Sequence, residues 1–256
     1  MDKRLTFNED EINYDKYRPT YPSELYEKIF AYCKLNSDSR LLEIGIGTGQ
    51  ATAPFLKCGC NVTAIELGNR LSAFVGDKFN EYSNFKIINA DFVNHSLNAD
   101  TYDLIYSATA FHWLPTPEKY NKVMSCLKSG GVLALFWNHP FPNRDNDKTN
   151  IASKAVYAKY RPSNEKQIEF CEDECVQYAD ELKAYGFTDV EYHLFHRVRT
   201  LSTDEYLHLI NTYSDHRILA ASIKTGFENE MRQAIDSVGG KINIYDTIDL
   251  YLAKKP

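Results

Sequence analysis

Apolar and polar positions along the chain fall into short blocks that change period. Residues 40–45 form a brief apolar run ending in glycine, and residues 61–66 (Asn-Val-Thr-Ala-Ile-Glu) form a second. Residues 85–89, 102–107 and 132–137 repeat the pattern, each rich in Ile, Leu, Val or aromatic residues. Such runs, four to six residues long and bounded by turn residues, predict strands buried on both faces. Between them, residues 50–57, 69–79 and 118–126 carry apolar residues at helical spacing, and Lys128-Ser129-Gly130-Gly131 reads as a turn. Strands alternating with helices every 20 to 30 residues predict a doubly wound parallel sheet.

The flanks read differently. Residues 1–21 are polar and aromatic, and Pro19 and Pro22 predict an extended arm or turn before a helix over residues 22–33. After Asn138, helices are expected over residues 151–160 and 174–185, and a strand over 188–200. Residues 203–237 are helical in character, with breaks near Tyr213-Ser214 and Thr225-Gly226, and residues 241–253 alternate as a last strand. Two late strands separated by helical residues predict a C-terminal hairpin carrying a cap, with an antiparallel strand at the sheet edge. The resulting division is an arm (1–22), a core (23–140, 172–200 and 240–256) and helical cap elements (141–171 and 201–239).

Composition narrows the class. The 256 residues are 43% hydrophobic and 25% charged, as in soluble globular domains, so no disulfide or metal scaffold is required. A net charge of −6 argues against general binding to nucleic acid or to an anionic membrane surface. No apolar stretch is long enough to span a bilayer and no secretory leader is visible, so a cytoplasmic location is expected. The six cysteines lack paired Cys-x-x-Cys spacing and read as reduced thiols, with no metal expected. Neither monomer nor homodimer is favoured. Aromatics reach 13%, an excess that asks for a role.

The strongest chemical signal is Glu43-Ile44-Gly45-Ile46-Gly47-Thr48-Gly49, between a strand and a helix. Glycines there allow positive φ and bring backbone N–H groups close to a ligand. A dinucleotide fingerprint places a small residue where Gln50 stands, and Glu43 sits awkwardly beside phosphate but well near an amino-bearing ligand. Glu66 ends the second strand at the distance where an acid accepts hydrogen bonds from a ribose diol. Asp91-Phe92 follows the third strand, and Asp103 to Ser107 opens toward Phe111-His112-Trp113.

Together, Glu43-x-Gly45-x-Gly47-x-Gly49, Glu66, Asp91-Phe92 and Tyr102-Asp103 resemble the class I S-adenosylmethionine-dependent methyltransferases. The arm motif Tyr14-Asp15-Lys16-Tyr17-Arg18-Pro19-Thr20-Tyr21-Pro22, with Ala110-Phe111-His112-Trp113 and Phe136-Trp137-Asn138, resembles the trans-aconitate methyltransferase-like small-molecule branch. The resemblance implies a Rossmann-like α/β fold: seven strands, mostly parallel, with an antiparallel last strand. It implies S-adenosyl-L-methionine as cofactor, with Gly45, Gly47 and Gly49 under its methionine and ribose and Glu43 near its amino group. Glu66 would take the ribose hydroxyls, Asp91 the adenine amino group, and Phe92 and Leu67 the faces of the base. Ser107 joins this set, and Tyr14, Tyr17 and Arg18 would close over the cofactor.

Methyl transfer is an in-line displacement that depends chiefly on alignment and water exclusion. His112 is the candidate catalytic group, and Trp113, Asn138, His139 and Arg217 are candidates for binding a small, anionic substrate. A nicotinamide-dependent oxidoreductase and a non-catalytic S-adenosylmethionine-binding regulator stay open as alternatives.

Overall fold

Seven strands join in one sheet: β1 (Arg40–Ile44), β2 (Asn61–Glu66), β3 (Phe85–Asn89), β4 (Tyr102–Ala108), β5 (Leu127–Phe141), β6 (Thr188–Ser202) and β7 (Lys241–Lys254). Their order is β3-β2-β1-β4-β5-β7-β6 in this computed structural model, which describes residues 10–162 and 167–256. Strands β1 to β5 run parallel, while β7 runs antiparallel to both β5 and β6. The architecture is the expected Rossmann-like α/β sheet. The chain leaves β1 outward through β2 and β3, then returns to β4 on the other side of β1. That reversal opens a crevice at the carboxyl ends of β1 and β4, where open α/β sheets bind ligands.

Strand alternation divides the core. On β5, Val132, Ala134 and Phe136 face one side, with Leu41, Val62 and Leu104. Helix α2 (Ser23–Cys33) covers that side with Leu25 and Ile29, α3 (Ala53–Lys57) with Phe55, and α4 (Asn69–Lys78) with Val75. Leu133, Leu135 and Trp137 face the other side, with Leu42, Ile44 and Ile105. Helix α5 (Glu118–Cys126) covers it with Tyr120 and Val123, and α7 (Glu172–Ala184) with Cys175 and Leu182. A sheet buried on both faces needs apolar residues at consecutive positions, which is why its strands read as unbroken runs. Truncating one such residue, Phe136→Ala, would cost about 3–5 kcal/mol.

A third apolar cluster is the cap. Helix α6 (Lys148–Tyr160) supplies Val156, α8 (Thr203–Ile210) supplies Tyr206, Leu207, Leu209 and Ile210, and α10 (Ala221–Ser237) supplies Phe227, Met231 and Ile235. They close on Ile242 and Ile244 at the start of β7, so the cap rides on the extension of the late hairpin. A short helix, α9 (Ser214–Arg217), links α8 to α10.

Several expectations are corrected. The arm is not wholly extended: α1 (Glu11–Tyr17) is a helix, started by the Asp10 carboxylate accepting from the Asn13 N–H at 3.2 Å. Residues 1–9 of the expected arm, and residues 163–166 of the cap, lie outside the described residues. Helix α3 starts only at Ala53, after a turn through Gly49. Strand β5 is far longer than residues 132–137. Residues 128–131 are an irregularity within it, where the pairing jumps from Tyr102↔Leu127 to Leu104↔Val132. Its far end continues because β7 pairs with it as far as Phe141↔Tyr245. The last strand is internal, and β6 forms the edge. No break occurs at Thr225-Gly226, which lies inside α10. There a Cβ on Gly226 would stand 3.0 Å from the Tyr160 hydroxyl, so the glycine admits a ring and does not stop the helix.

Candidate active site

The site begins where β1 ends. Gly45, Gly47 and Gly49 have φ of +70°, +59° and +82°, and each answers a different constraint. A Cβ on Gly45 would come within 2.6 Å of the Ala110 Cβ, and one on Gly49 within 2.5 Å of the Phe79 ring. At Gly47 the nearest atom would be Tyr14 Cε1 at 3.8 Å, so this glycine faces an open space under the arm. That space is a cavity of about 310 Å³. Gly45 and Gly47 line it; Gly49 is not among its lining residues and serves packing against Phe79.

Glu66, the last residue of β2, is clamped at this end. One oxygen accepts from the Gly47 N–H at 3.0 Å and the other from the Gly68 N–H at 2.8 Å. Burial raises its pKa, and these backbone donors act against that rise. A carboxylate oxygen accepts more than one hydrogen bond, so capacity for hydroxyl donors remains. Asp91 follows β3 with Oδ1 accepting from the Val93 N–H at 2.9 Å. Leu67, Leu71, Ala90 and the almost fully buried Phe92 supply apolar walls between the two acids. A flat base with a ribose fits this set of donors, acceptors and walls.

The other end is assembled from distant segments. Arg18 and Tyr14 lie four residues apart around the end of α1, and the Arg18 guanidinium sits 4.8 Å from the Tyr14 ring centroid and 4.4 Å from that of Tyr213. Its Nε donates to Thr212 Oγ1 at 2.8 Å and its Nη2 to the Thr212 carbonyl at 2.9 Å, tying arm to cap. Tyr21, whose pKa burial raises, shares a 2.7 Å hydrogen bond with Thr109 after β4. His112 and Trp113, in a 3₁₀ turn over Phe111–Trp113, complete the wall with Leu114, Asn138 and Pro140.

Asn138 is oriented from behind. Its Oδ1 accepts from Arg197 Nη2 at 3.3 Å and its Nδ2 donates to Asp246 Oδ1 at 3.2 Å. The buried Asp246 carboxylate also takes Arg197 Nε at 3.0 Å and Arg199 Nη2 at 2.9 Å. His112 Nδ1 accepts from the Trp137 indole N–H at 2.9 Å, and burial, followed by Lys119 and His139, lowers its pKa.

The cavity therefore gathers Tyr14, Arg18, Gly45, Gly47, Glu66, Leu67, Asp91, Phe92, His112, Trp113 and Asn138. The remaining candidates lie elsewhere. Glu43 is buried beneath the glycine loop, where Thr52 Oγ1 (2.7 Å) and the Tyr106 hydroxyl (2.8 Å) donate to its Oε2. Desolvation pushes its pKa up to about 7, against those two hydrogen bonds. Ser107 donates to the Ile44 carbonyl at 2.8 Å and ties β4 to β1. Tyr17 turns to the cap and stacks on His208 at 4.7 Å. His139 follows Asn138 along a continuing strand and so points to the opposite face, stacked 3.8 Å from Phe170. Arg217, half-buried in α9, is not on the cavity wall.

Sequence reasoning missed Leu71, Thr109 and Tyr213. Leu71 carried a usable signal, an apolar residue in the first turn of the helix after Glu66. Tyr213 carried none, because its segment reads only as a helix break.

Comparison with known proteins finds similarity to methyltransferases. Residues 42–135 match the family model described as a methyltransferase domain. A Schizosaccharomyces pombe protein described as an uncharacterized methyltransferase is 24% identical over 235 residues, 91% of this chain and 88% of its own. A Saccharomyces cerevisiae protein named "Probable S-adenosylmethionine-dependent methyltransferase" is 29% identical over 177 residues, 64% of this chain and 60% of its own. Among solved structures, a Haemonchus contortus phosphoethanolamine N-methyltransferase in complex with phosphomonomethylethanolamine and S-adenosylhomocysteine has the same fold. Its TM-score is 0.55 at 13% identity, covering 99% of this chain and 57% of that one.

Proposed function

Because the chain is a class I S-adenosylmethionine-dependent methyltransferase, we propose that it methylates a small, anionic metabolite in the cavity between sheet, arm and cap. In this reading Glu66 accepts from the ribose hydroxyls and Asp91 from the adenine amino group. Leu67, Leu71 and Phe92 enclose the base, and the backbone at Gly45 and Gly47 lets the methionine part approach the loop. Bound there, the cofactor supplies an electrophilic methyl carbon on a positively charged sulfur. The residues around it hold the acceptor in line and keep water out, which removes an entropic part of the barrier.

One observation carries the substrate class. Among the described residues, the carboxylates on the cavity wall are Glu66 and Asp91, both at the β2–β3 end. The opposite end presents Arg18, His112, Asn138 and hydroxyl groups, with Arg197 and Arg199 directly behind Asn138. Arg197 and Arg199 both converge on Asp246 behind Asn138, and the Arg18 guanidinium lies on the wall itself, an arrangement that supports an anionic acceptor. The likeness of the arm and the 110–113 segment to the trans-aconitate methyltransferase-like branch points the same way.

The experiment is incubation of the purified protein with radiolabelled methyl donor and a panel of small anions, neutral compounds, amines, peptides and RNA. Label is expected in a small anion, with Arg18→Gln raising its KM. Label found only in a macromolecule or a cation would overturn the reading.

A further inference from the structure

The buried Asp246 carboxylate touches every other side chain of the network behind Asn138, and its own chemistry restricts what it does there. On β7 it stands directly opposite Pro140 of β5 and Arg197 of β6, so three strands meet in one row beneath the acceptor end of the cavity. Its oxygens take Arg199 Nε and Nη2, Arg197 Nε and Asn138 Nδ2. A carboxylate offers about four lone-pair positions, and these donors fill them. The side chain keeps no exposed surface and does not line the cavity. Asp246 is therefore placed neither to take a proton from a ligand nor to touch one. It is placed to act on Asn138, which does line the cavity.

An asparagine amide has two ends of similar shape and opposite polarity, so only its hydrogen-bond partners choose between its two orientations. Here both partners make the same choice. A guanidinium only donates, so the atom that meets Arg197 Nη2 at 3.3 Å is the oxygen. A carboxylate only accepts, so the atom that meets Asp246 Oδ1 at 3.2 Å is the nitrogen. Turning the amide over would set N–H against guanidinium and oxygen against carboxylate, and both bonds would be lost. The partners also hold each other: Arg197 Nε donates to Asp246 at 3.0 Å, and Arg199 grips the same carboxylate through two nitrogens.

We propose that Asp246 is a positioning residue, which fixes the polarity of the Asn138 amide and so makes Asn138 a determinant of which methyl acceptors bind. The proposal rests on the reading of this cavity as the acceptor site. Beyond the network, Asn138 keeps one N–H and one oxygen lone pair, and with the amide fixed these cannot exchange places. An acceptor whose polar atoms match that order is held. One with the order reversed leaves polar groups unpaired at the wall and is rejected. Without the Asp246 carboxylate the amide is free to turn over, and the distinction is lost.

Two measurements test this. In ¹⁵N-labelled protein, the Asn138 side-chain NH₂ signal is identified by its absence in Asn138→Ala. It is expected to exchange slowly with water in the wild type, and to shift and exchange faster in Asp246→Asn. A wild-type signal that exchanges as freely as a surface asparagine overturns the proposal. The second measurement is a double-mutant cycle, with the small molecule labelled in the transfer assay as acceptor. Asn138→Ala and Asp246→Asn should each raise its KM about tenfold, with kcat less affected and S-adenosylhomocysteine affinity unchanged. Combined, they should not multiply: Asp246→Asn should add less than about two-fold once residue 138 is alanine. Arg197→Met removes the donor to the amide oxygen but leaves Arg199 on Asp246, so it stands in if Asp246→Asn does not fold. It should raise KM roughly three-fold, again only while Asn138 is present. KM factors that multiply, an unchanged KM in Asn138→Ala, or a lowered melting temperature with normal kinetics in Asp246→Asn would each overturn the positioning role. Failure to label any small molecule would instead sink the metabolite reading, and the amide exchange then judges the Asn138 lock on its own.

Discussion

The two ends of the cavity are built by different means. At the β2–β3 end each carboxylate stands at or just past the end of a strand and is pinned by backbone N–H groups nearby in sequence. Glu66 is held from 19 and 2 residues away, and Asp91 from 2. At the acceptor end the ties run between segments 194 residues apart at Arg18–Thr212 and 88 apart at Tyr21–Thr109. The first kind of construction is complete once three strands have paired. The second exists only when arm, sheet and cap have all docked, so it is the part that sequence change can retune while the cofactor end stays put.

Substitutions can break this contrast. The largest effect is expected at Gly49→Ala, where positive φ and a Cβ 2.5 Å from the Phe79 ring combine to cost about 2–5 kcal/mol of stability. Gly130→Ala, at φ +73° with nothing within 4 Å, serves as control at about 1 kcal/mol. Urea denaturation compares them, and equal losses would mean the glycine loop is not tightly packed.

Glu43→Gln probes the floor beneath the loop. Folding raises this carboxyl from 4.5 to about 7, so the folded state binds the extra proton and stability falls as pH rises through that window. The amide keeps acceptors for Thr52 and Tyr106 without the charge. It should therefore gain on the wild type by roughly 3 kcal/mol at pH 8, and by little at pH 4. A pH-independent difference in melting would sink the assignment.

Glu66→Ala should weaken binding of S-adenosylhomocysteine about 10- to 100-fold, measured by calorimetry, because charge-assisted hydrogen bonds to the ribose are lost. An unchanged affinity would move the ribose elsewhere. The smallest effect is expected from Thr212→Val, which removes the side-chain acceptor for Arg18 but leaves the carbonyl contact. Acceptor KM should rise roughly five-fold, about 1 kcal/mol, with cofactor affinity unchanged. Loss of cofactor affinity in this variant would dissolve the distinction between the two ends.

The β2–β3 end of the cavity was largely legible in the chain because its information is local. Unbroken apolar runs mark strands, positive-φ glycines mark the loop, and Glu66 and Asp91 stand at strand ends where a crevice opens. The acceptor end was legible as a neighbourhood but not as side-chain directions. Asn138 and His139 separate only because β7 pairing extends β5 to Phe141, a contact more than a hundred residues distant. Tyr14 and Arg18 share a face, and Tyr17 leaves it, because α1 is helical. The Asp10 cap was a readable sign of that helix, outweighed by the two prolines that follow. Glu43 looked like a ligand contact by position, yet its depth under the loop depends on Thr52 and Tyr106 reaching it from two other elements.

The position of β7 bears on how the protein is made. A ribosome delivers strands in numerical order, and the first five can assemble into a sheet as they emerge. β6 then waits without a sheet partner, since its register is written entirely against β7. The half proposed to hold the nucleoside can thus be standing while the half proposed to select the acceptor is still an unpaired strand and a set of helices. On that order of assembly, synthesis would separate the two proposed functions in time.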